Sequence, residues 1–276
     1  MFDASPLPET HALQQDPAFL AALRACGQTP VELPGGLLVL RRRLAGVQLA
    51  MLPRALPPED LTAQLAAVGL HRLPLILSPE RACRIPRALR ICAPRPTTVI
   101  DLTPDETTRR ALLHPKWRNQ LCRAEDGPLH VAHGLFRPDD PLLALEAAQA
   151  RDRGYASWPP PLTAAFARAA PHQTRLFTAR LKGTPVAHML FLTHGNRATY
   201  HIGHTTEAGR RENAHNLLLW RACSWLALHG HVSLDTGLMQ PSVPGLDRFK
   251  LRAGAKPQMM GGTWLRWRPL ARGPGP

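Results

Sequence analysis

The sequence predicts a mixed α/β (α+β) fold, on three observations. Thr199–Gly237 reads as strand, basic loop, apolar helix, strand. An order of hairpin, helix and strand runs from Leu37 to Leu77 and returns from Arg175 onward. The 276 residues, 44% hydrophobic and 20% charged, are long enough to bury a real core and too apolar for a disordered chain. The repeated order predicts two lobes: a partial one over residues 1–96, a larger one over 97–268, and a flexible tail over 269–276.

Residues 1–15 look loose. A short helix over Pro17–Cys26 leads to a turn at Leu33-Pro34-Gly35-Gly36. Strands follow at Leu37–Arg42 and Val47–Leu52, joined through Leu44-Ala45-Gly46. Pro57–Val68 is a helix with proline at its start and Gly69 at its end. A strand at Leu73–Leu77 and a helix over Pro79–Leu89 complete the first lobe.

The second lobe opens with a strand at Val99–Leu102 and a helix at Thr103–Leu113. Pro115–Glu125 is a basic helix, with Trp117, Leu121 and Ala124 on one face and Lys116, Gln120 and Arg123 on another. A strand at Leu129–Ala132 and helices at Asp139–Arg153 and Pro160–Ala170 come next. Arg175–Arg180 and Val186–Thr193 form a hairpin about Lys182-Gly183. After the 199–237 stretch come a loop over Leu238–Gly245, a helix over Leu246–Arg252 and a final strand over Gln258–Trp267. The 29 prolines fall mostly at the joints between these elements.

Net charge is +14, with Lys116, Lys182, Lys250 and Lys256 the only lysines. Such a chain attracts polyanions: coenzyme A, tRNA, an acidic carrier protein or an anionic membrane surface. The five cysteines are odd in number and lack a CxxC pair, which fits reduced thiols in a cytoplasmic protein. No apolar run is long enough to span a bilayer, and no basic segment precedes an apolar one at the N-terminus.

Asn216–His229 is apolar on nearly every side, as a covered helix would be. Ahead of it stand Gly209, Arg210 and Arg211, with Asn213 and Asn216 as candidate caps. Free backbone N–H groups beside two guanidiniums make an anion site.

Three segments carry a family resemblance. Lys116-Trp117-Arg118, continuing to Leu121 and Arg123-Ala124-Glu125, fits K-x-R-x-x-[IL]-x-[KR]-A-E. The helix from Asn216 ends in Gly230, and the strand after it reaches Leu234-Asp235-Thr236-Gly237. Gly245-Leu246 with Phe249-Lys250 fits G-L-x-x-F-K. Together they resemble the FemAB-like, or BioF2-like, acetyltransferase branch of the GNAT superfamily.

That resemblance implies a GNAT-like fold: a mixed, mostly antiparallel sheet flanked by helices, in two tandem lobes. In it two strands splay apart and the donor's pantetheine arm lies between them. It also implies transfer of an acyl group to an amine, from acyl-CoA (acetyl-CoA) as co-substrate or from an aminoacyl-tRNA. The glycine-spaced pyrophosphate loop of ordinary acetyltransferases does not follow Thr205, where Gly209 is the only glycine. An aminoacyl-tRNA or acyl carrier protein therefore stands as an alternative donor. The acceptor is an amine-bearing small molecule or a cell-envelope precursor.

Asp235 ends its strand where splayed strands would open a cleft, so its carboxylate is a candidate base for the amine. The alternative is a carboxylate that caps the loop at Gly237. Tyr200 and His204 are candidates to protonate the leaving thiolate, against packing roles. His201 and Gly203 lie on the donor strand, where a backbone N–H can polarise the carbonyl. Arg118 and Lys250 are candidates for a phosphate or substrate carboxylate, because the family motifs include them. His201-Ile202-Gly203-His204 spells the HIGH signature of class I aminoacyl-tRNA synthetases, but it lies inside a strand and lacks a lysine-rich partner loop. His201, His204, His229 and His231 are irregularly spaced, and no metal is expected. A non-catalytic module that binds a polyanion or carrier protein is the reading from a different class.

Overall fold

The computed structural model describes residues 11–44, 46–240 and 243–267. Two compact units emerge, one chiefly Gln14–Pro96 with the chain from Gln258 onward, the other chiefly Thr97–Pro257. Each has its own buried apolar cluster.

In the first unit, α1 (Pro17–Ala25) starts at Asp16, whose carboxylate accepts from the Ala18 N–H and satisfies one free donor of the first turn. Then come β1 (Val31–Glu32), β2 (Leu38–Leu44), β3 (Val47–Pro53), α2 (Leu61–Ala67), β4 (Leu75–Ser78) and β5 (Leu89–Cys92). β2 and β3 are an antiparallel hairpin, and β4 joins β3 in parallel after the α2 crossover. The predicted helix over Pro79–Leu89 does not form. Pro86 cannot donate within a helix, and Arg87 adopts a left-handed φ of 54°.

The predicted strand over Gln258–Trp267 is two short strands, Lys256–Met259 and Thr263–Arg266, parted by Gly261-Gly262. Gly262 has φ +79°, which a residue with a side chain rarely adopts. Thr263–Arg266 then inserts between β4 and β5, so this segment belongs to the first unit's sheet, not to a lobe running through 268. The tail over 269–276 lies outside the described residues.

The second unit contains β6 (Pro96–Asp101), α3 (Glu106–Ala111), α4 (Pro115–Glu125), β7 (Leu129–Gly134), α5 (Leu142–Arg153), α6 (Pro160–Ala169), β8 (Thr174–Leu181), β9 (Thr184–His194) and β10 (Arg197–Thr205). It closes with α7 (Glu207–Arg211), α8 (Ala214–Leu228), β11 (Ser233–Leu238) and α9 (Pro244–Arg252). The strands lie in the order β6-β11-β10-β9-β8-β7, antiparallel except for β10 with β11. Hairpin, helix, parallel strand is thus the order in both units.

α8 packs against β8, β9 and β10 and is buried nearly all round from Leu217 to Cys223, as its composition predicts. It surfaces at Arg221 and again at its C-terminal end, where Leu228 is exposed. α4 adds Trp117, Leu121 and Ala124 to the same core. Among the described residues, no helix is long and apolar enough to cross a membrane.

Candidate active site

β10 and β11 run side by side only from Arg197 to Thr199 against Ser233 to Asp235, and there their ladder ends. Beyond it β10 follows β9 to Thr205, while β11 follows β6 to Leu238. Both strands are distorted where they part. β10 carries a bulge between Tyr200 and Ile202, and β11 slips register between Asp235 and Leu238, with Gly237 at φ +88°.

Asp235 fastens the second distortion. Its Oδ1 accepts from the Gly237 N–H and from the Thr97 hydroxyl, both at 2.8 Å. Nearby, the hydroxyls of Thr98 and Thr236 are 2.7 Å apart, and Thr98 also donates to the Gly237 carbonyl. Of the two roles set out for Asp235, this is the loop-capping one. The residue is buried in the seam, and Thr236 and Gly237 line the opening in its place.

The gap holds a hollow of about 250 Å³ lined by Glu146, Tyr155, Tyr200, His201, Thr236 and Lys250. A second hollow of about 510 Å³ shares Glu146, Tyr155, Tyr200 and His201, and extends to Arg153, Arg210, Asn213 and Asn216 at the start of α8. The two share walls and form one cleft, with Lys250 at one end and a basic end at the helix N-terminus.

Glu146 on α5 is the carboxylate that faces this cleft. It is 7% exposed, and its Oε1 accepts from the Tyr155 hydroxyl at 3.0 Å. Gln149 donates to the Gly203 carbonyl at 3.0 Å and to the Tyr155 oxygen at 2.9 Å, tying α5 to the bulged strand. Burial raises the Glu146 carboxyl above its ordinary value, outweighing the bonds from Tyr155 and Gln149. A carboxyl shifted upward in this way is a better proton acceptor than an ordinary one.

Lys250 on α9 is 5% exposed and reaches the Leu238 carbonyl at 3.5 Å. Burial lowers its ammonium pKa, opposed by the charges of Asp247 and Asp235. It also packs over Gly237, at 3.7 Å from where a Cβ would stand. The Asp235-x-Gly237 and Phe249-Lys250 motifs, distant in sequence, therefore meet at this end of the cleft.

Tyr200 lines both hollows, and burial raises its phenol. His201 is bound through Nε2 to the Thr163 hydroxyl at 2.9 Å, and its ring meets that of Trp158 edge-on at 4.5 Å. Burial holds it neutral, at about 4. His204, read as a candidate proton donor, lines neither hollow; its ring lies 6.5 Å from that of His188. Its Nδ1 is buried without a partner, and burial, then Arg153 and Arg210, push its pKa down.

The basic end differs from its sequence reading. Gly209-Arg210-Arg211 is not an open loop but part of α7, and Gly209 is needed because a Cβ there would strike the Val186 carbonyl oxygen. Arg210 lines the cleft and donates to the Thr205 carbonyl at 3.2 Å. Arg211 instead pairs with Glu207 at 3.2 Å along the exposed side of α7. Asn213 occupies the cap position of α8 in a left-handed conformation without a side-chain cap bond. Asn216 lies within the first turn, 6% exposed, with its Nδ2 unpartnered. Arg118 is half-buried on α4 and lines neither hollow. Among the described residues, no cluster of three or more His, Cys, Asp or Glu side chains is placed to hold a metal ion.

Glu146, Gln149 and Arg153 escaped the sequence reading, which gave α5 no role beyond being a helix. Their spacing of i, i+3 and i+7 places them on one face, and that was the available signal.

Residues 116–251, which run from α4 to α9 and include every wall of this cleft, match the family profile of the acetyltransferase (GNAT) domain. This part of the chain is GNAT-like. No curated protein sequence matches it. In fold it is similar to the crystal structure of FemX (TM-score 0.71, 11% identity, 93% of this chain and 92% of that one). It is also similar to the C-terminal domain (DUF2156) of a putative lysylphosphatidylglycerol synthetase from Agrobacterium fabrum (TM-score 0.58, 14% identity, 94% and 90%). A third likeness is to L-PGS from Bacillus licheniformis (TM-score 0.56, 11% identity, 95% and 94%). The GNAT match and these whole-chain neighbours agree with the FemAB-like resemblance carried by Lys116–Glu125, Leu234–Gly237 and Gly245–Lys250.

Proposed function

We propose that this GNAT-like domain is an N-acyltransferase that moves an acyl group from acyl-CoA to an amine by direct attack in a ternary complex. The observation that carries the reading is the parting of β10 and β11 after Thr199 and Asp235, in front of the α8 N-terminus. A strand edge left without its neighbour offers main-chain groups to the amides of a pantetheine arm. The α8 N-terminus, the Asn216 amide and the guanidiniums of Arg153 and Arg210 offer donors to its phosphates.

In this reading Glu146 takes one proton from the substrate ammonium, and the freed amine attacks the thioester carbonyl. A C–N bond forms and the C–S bond breaks. The nitrogen's second proton passes by way of the Tyr200 hydroxyl to the departing sulfur, giving an amide and a thiol. A backbone N–H between His201 and Gly203 polarises the carbonyl, and Asp235 acts as a positioning residue that keeps the strands apart. Holding the two substrates together supplies up to roughly 7 to 11 kcal/mol of the barrier reduction. Such a protein works in the cytoplasm, where acyl-CoA is made.

The test is acyl transfer from acetyl-CoA to a mixed panel of amines, read as free thiol. Transfer is expected in the wild type, with a loss of about 10²- to 10⁴-fold in Glu146→Gln. Unchanged turnover in that variant would remove Glu146 from the chemistry. Failure of acetyl-CoA to raise the melting temperature would remove the donor.

The charge of +14 favours one second reading, in which the same cleft takes its acyl group from an aminoacyl-tRNA. That reading expects tRNA binding that weakens steeply with salt and no stabilisation by coenzyme A.

A further inference from the structure

Two ionisable groups of opposite sign face the 250 Å³ hollow, and neither has a directly bonded counter-charge: Arg153 acts on Glu146, and Asp247 and Asp235 act on Lys250, only from beyond ion-pair distance. Glu146 is bonded only to the neutral groups of Tyr155 and Gln149. Lys250 has only the long contact to the Leu238 carbonyl. Both are more than nine-tenths buried. Neither joins an ion pair among the described residues. Burying a charge without a directly bonded partner is costly, and the group either shifts toward its neutral form or gains a ligand of opposite sign. The remaining walls are mixed, with Leu143, Trp158 and Leu246 giving apolar surface beside polar groups such as Ser157, Thr163 and Gln240.

Resting on the reading that this cleft acylates an amine, we propose that the acceptor is a free α-amino acid with an apolar or aromatic side chain. Its ammonium sits at Glu146 and its carboxylate at Lys250. One molecule then neutralises both charges and presents its nitrogen to the group that removes the proton. A carboxylate matches the single charge of Lys250, whereas a phosphate monoester would bring about two negative charges to one ammonium. The reaction class that follows is N-acylation of an amino acid: the new bond removes the charge on nitrogen and leaves the carboxylate with Lys250.

The test compares L-phenylalanine, phenethylamine, which lacks the carboxylate, and O-phosphoethanolamine as acceptors from acetyl-CoA. Binding of L-phenylalanine is followed separately by calorimetry. Phenylalanine is expected to exceed phenethylamine in kcat/KM by about 10²-fold or more, as for a site whose buried polar group is left unpaired by the lesser substrate. Lys250→Met should collapse that ratio through KM, and Lys250→Arg should restore part of it. Equal rates for the two acceptors, preference for O-phosphoethanolamine, or an unchanged ratio in Lys250→Met overturns the amino-acid assignment while leaving acyl transfer standing. Saturable phenylalanine binding without transfer to any amine keeps the amino-acid site and overturns the transferase. Absence of both overturns both.

Discussion

Tyr200 lies across Gly203, with its hydroxyl oxygen standing where a Cβ at position 203 would have to go. The bulge between them is the cause. The extra residue at His201 breaks the two-residue alternation and brings positions 200 and 203 to the same face of β10. Gly203→Ala is therefore expected to drive the ring out of its place, with a stability loss of about 1–3 kcal/mol by overpacking. Acyl transfer should fall as well, because Tyr200 lines both parts of the cleft. Adding Tyr200→Phe should return part of the stability but not the activity. Urea unfolding and thiol release measure the two effects, and a fully stable Gly203→Ala would show that Tyr200 is not held there.

Asp235 and Gly237 make a second pair of this kind. Asp235→Asn keeps an oxygen able to accept from the Gly237 N–H and the Thr97 hydroxyl, so the strand distortion should survive with a modest change in rate. Asp235→Ala leaves the part-buried Gly237 N–H and the buried Thr97 hydroxyl without this acceptor and is expected to cost about 1–3 kcal/mol. If Asp235→Asn instead loses rate as severely as Glu146→Gln while staying fully folded, Asp235 is the proton acceptor and the assignment to Glu146 falls.

These pairs mark what the sequence could and could not disclose. The helix Asn216–His229 was legible because ten of its side chains are apolar and only a covered helix tolerates that. The strands on either side were legible from their β-branched and alternating residues. The bulge at His201 has no glycine, proline or charge to announce it, so nothing in the sequence tells that Tyr200 and Gly203 face the same way. The paired arginines misled for a related reason. Thr206 caps Gly209 through its side chain and starts a short helix where an open loop was read, so Arg210 and Arg211 leave it in different directions. Glu146 was hidden by distance, since α5 meets β10 only in the folded chain.

The response to pH separates two buried groups. The folded-state pKa of Glu146 is raised, so its contribution to stability is full below the ordinary carboxyl value and is lost as pH rises through the raised one. His215, whose Nε2 donates to the His204 carbonyl at 3.0 Å, is pushed down to about 4 by burial. Its contribution is full above the ordinary imidazole value and is lost as pH falls toward that lower one. The stability advantage of wild type over Glu146→Gln should therefore shrink on going alkaline, and that over His215→Gln on going acid. Each slope is limited to about 1.4 kcal/mol per pH unit. Acyl transfer should rise with pH along a limb that Glu146→Gln lacks. Parallel stability curves for wild type and Glu146→Gln would show that this carboxyl is not desolvated.

Arg210 and Arg211 are neighbours in sequence and should behave as strangers. Arg210 lines the basic end with Arg153, and a guanidinium there contributes a charge-assisted bond to a phosphate of about 1.5–3 kcal/mol. Arg210→Ala and Arg153→Ala are each expected to weaken coenzyme A binding by about 10-fold or more, with less salt dependence remaining. Arg211 is 71% exposed and paired with Glu207, itself 75% exposed, in an i, i+4 surface bridge. Bridges of that kind contribute at most about 0.5 kcal/mol to stability and nothing to a ligand they do not face. Arg211→Ala should thus bind coenzyme A as the wild type does. Calorimetry at two salt concentrations decides it: equal weakening in the Arg210 and Arg211 variants would mean that the donor's phosphates lie along the outer side of α7, and the cleft would lose its claim to the donor.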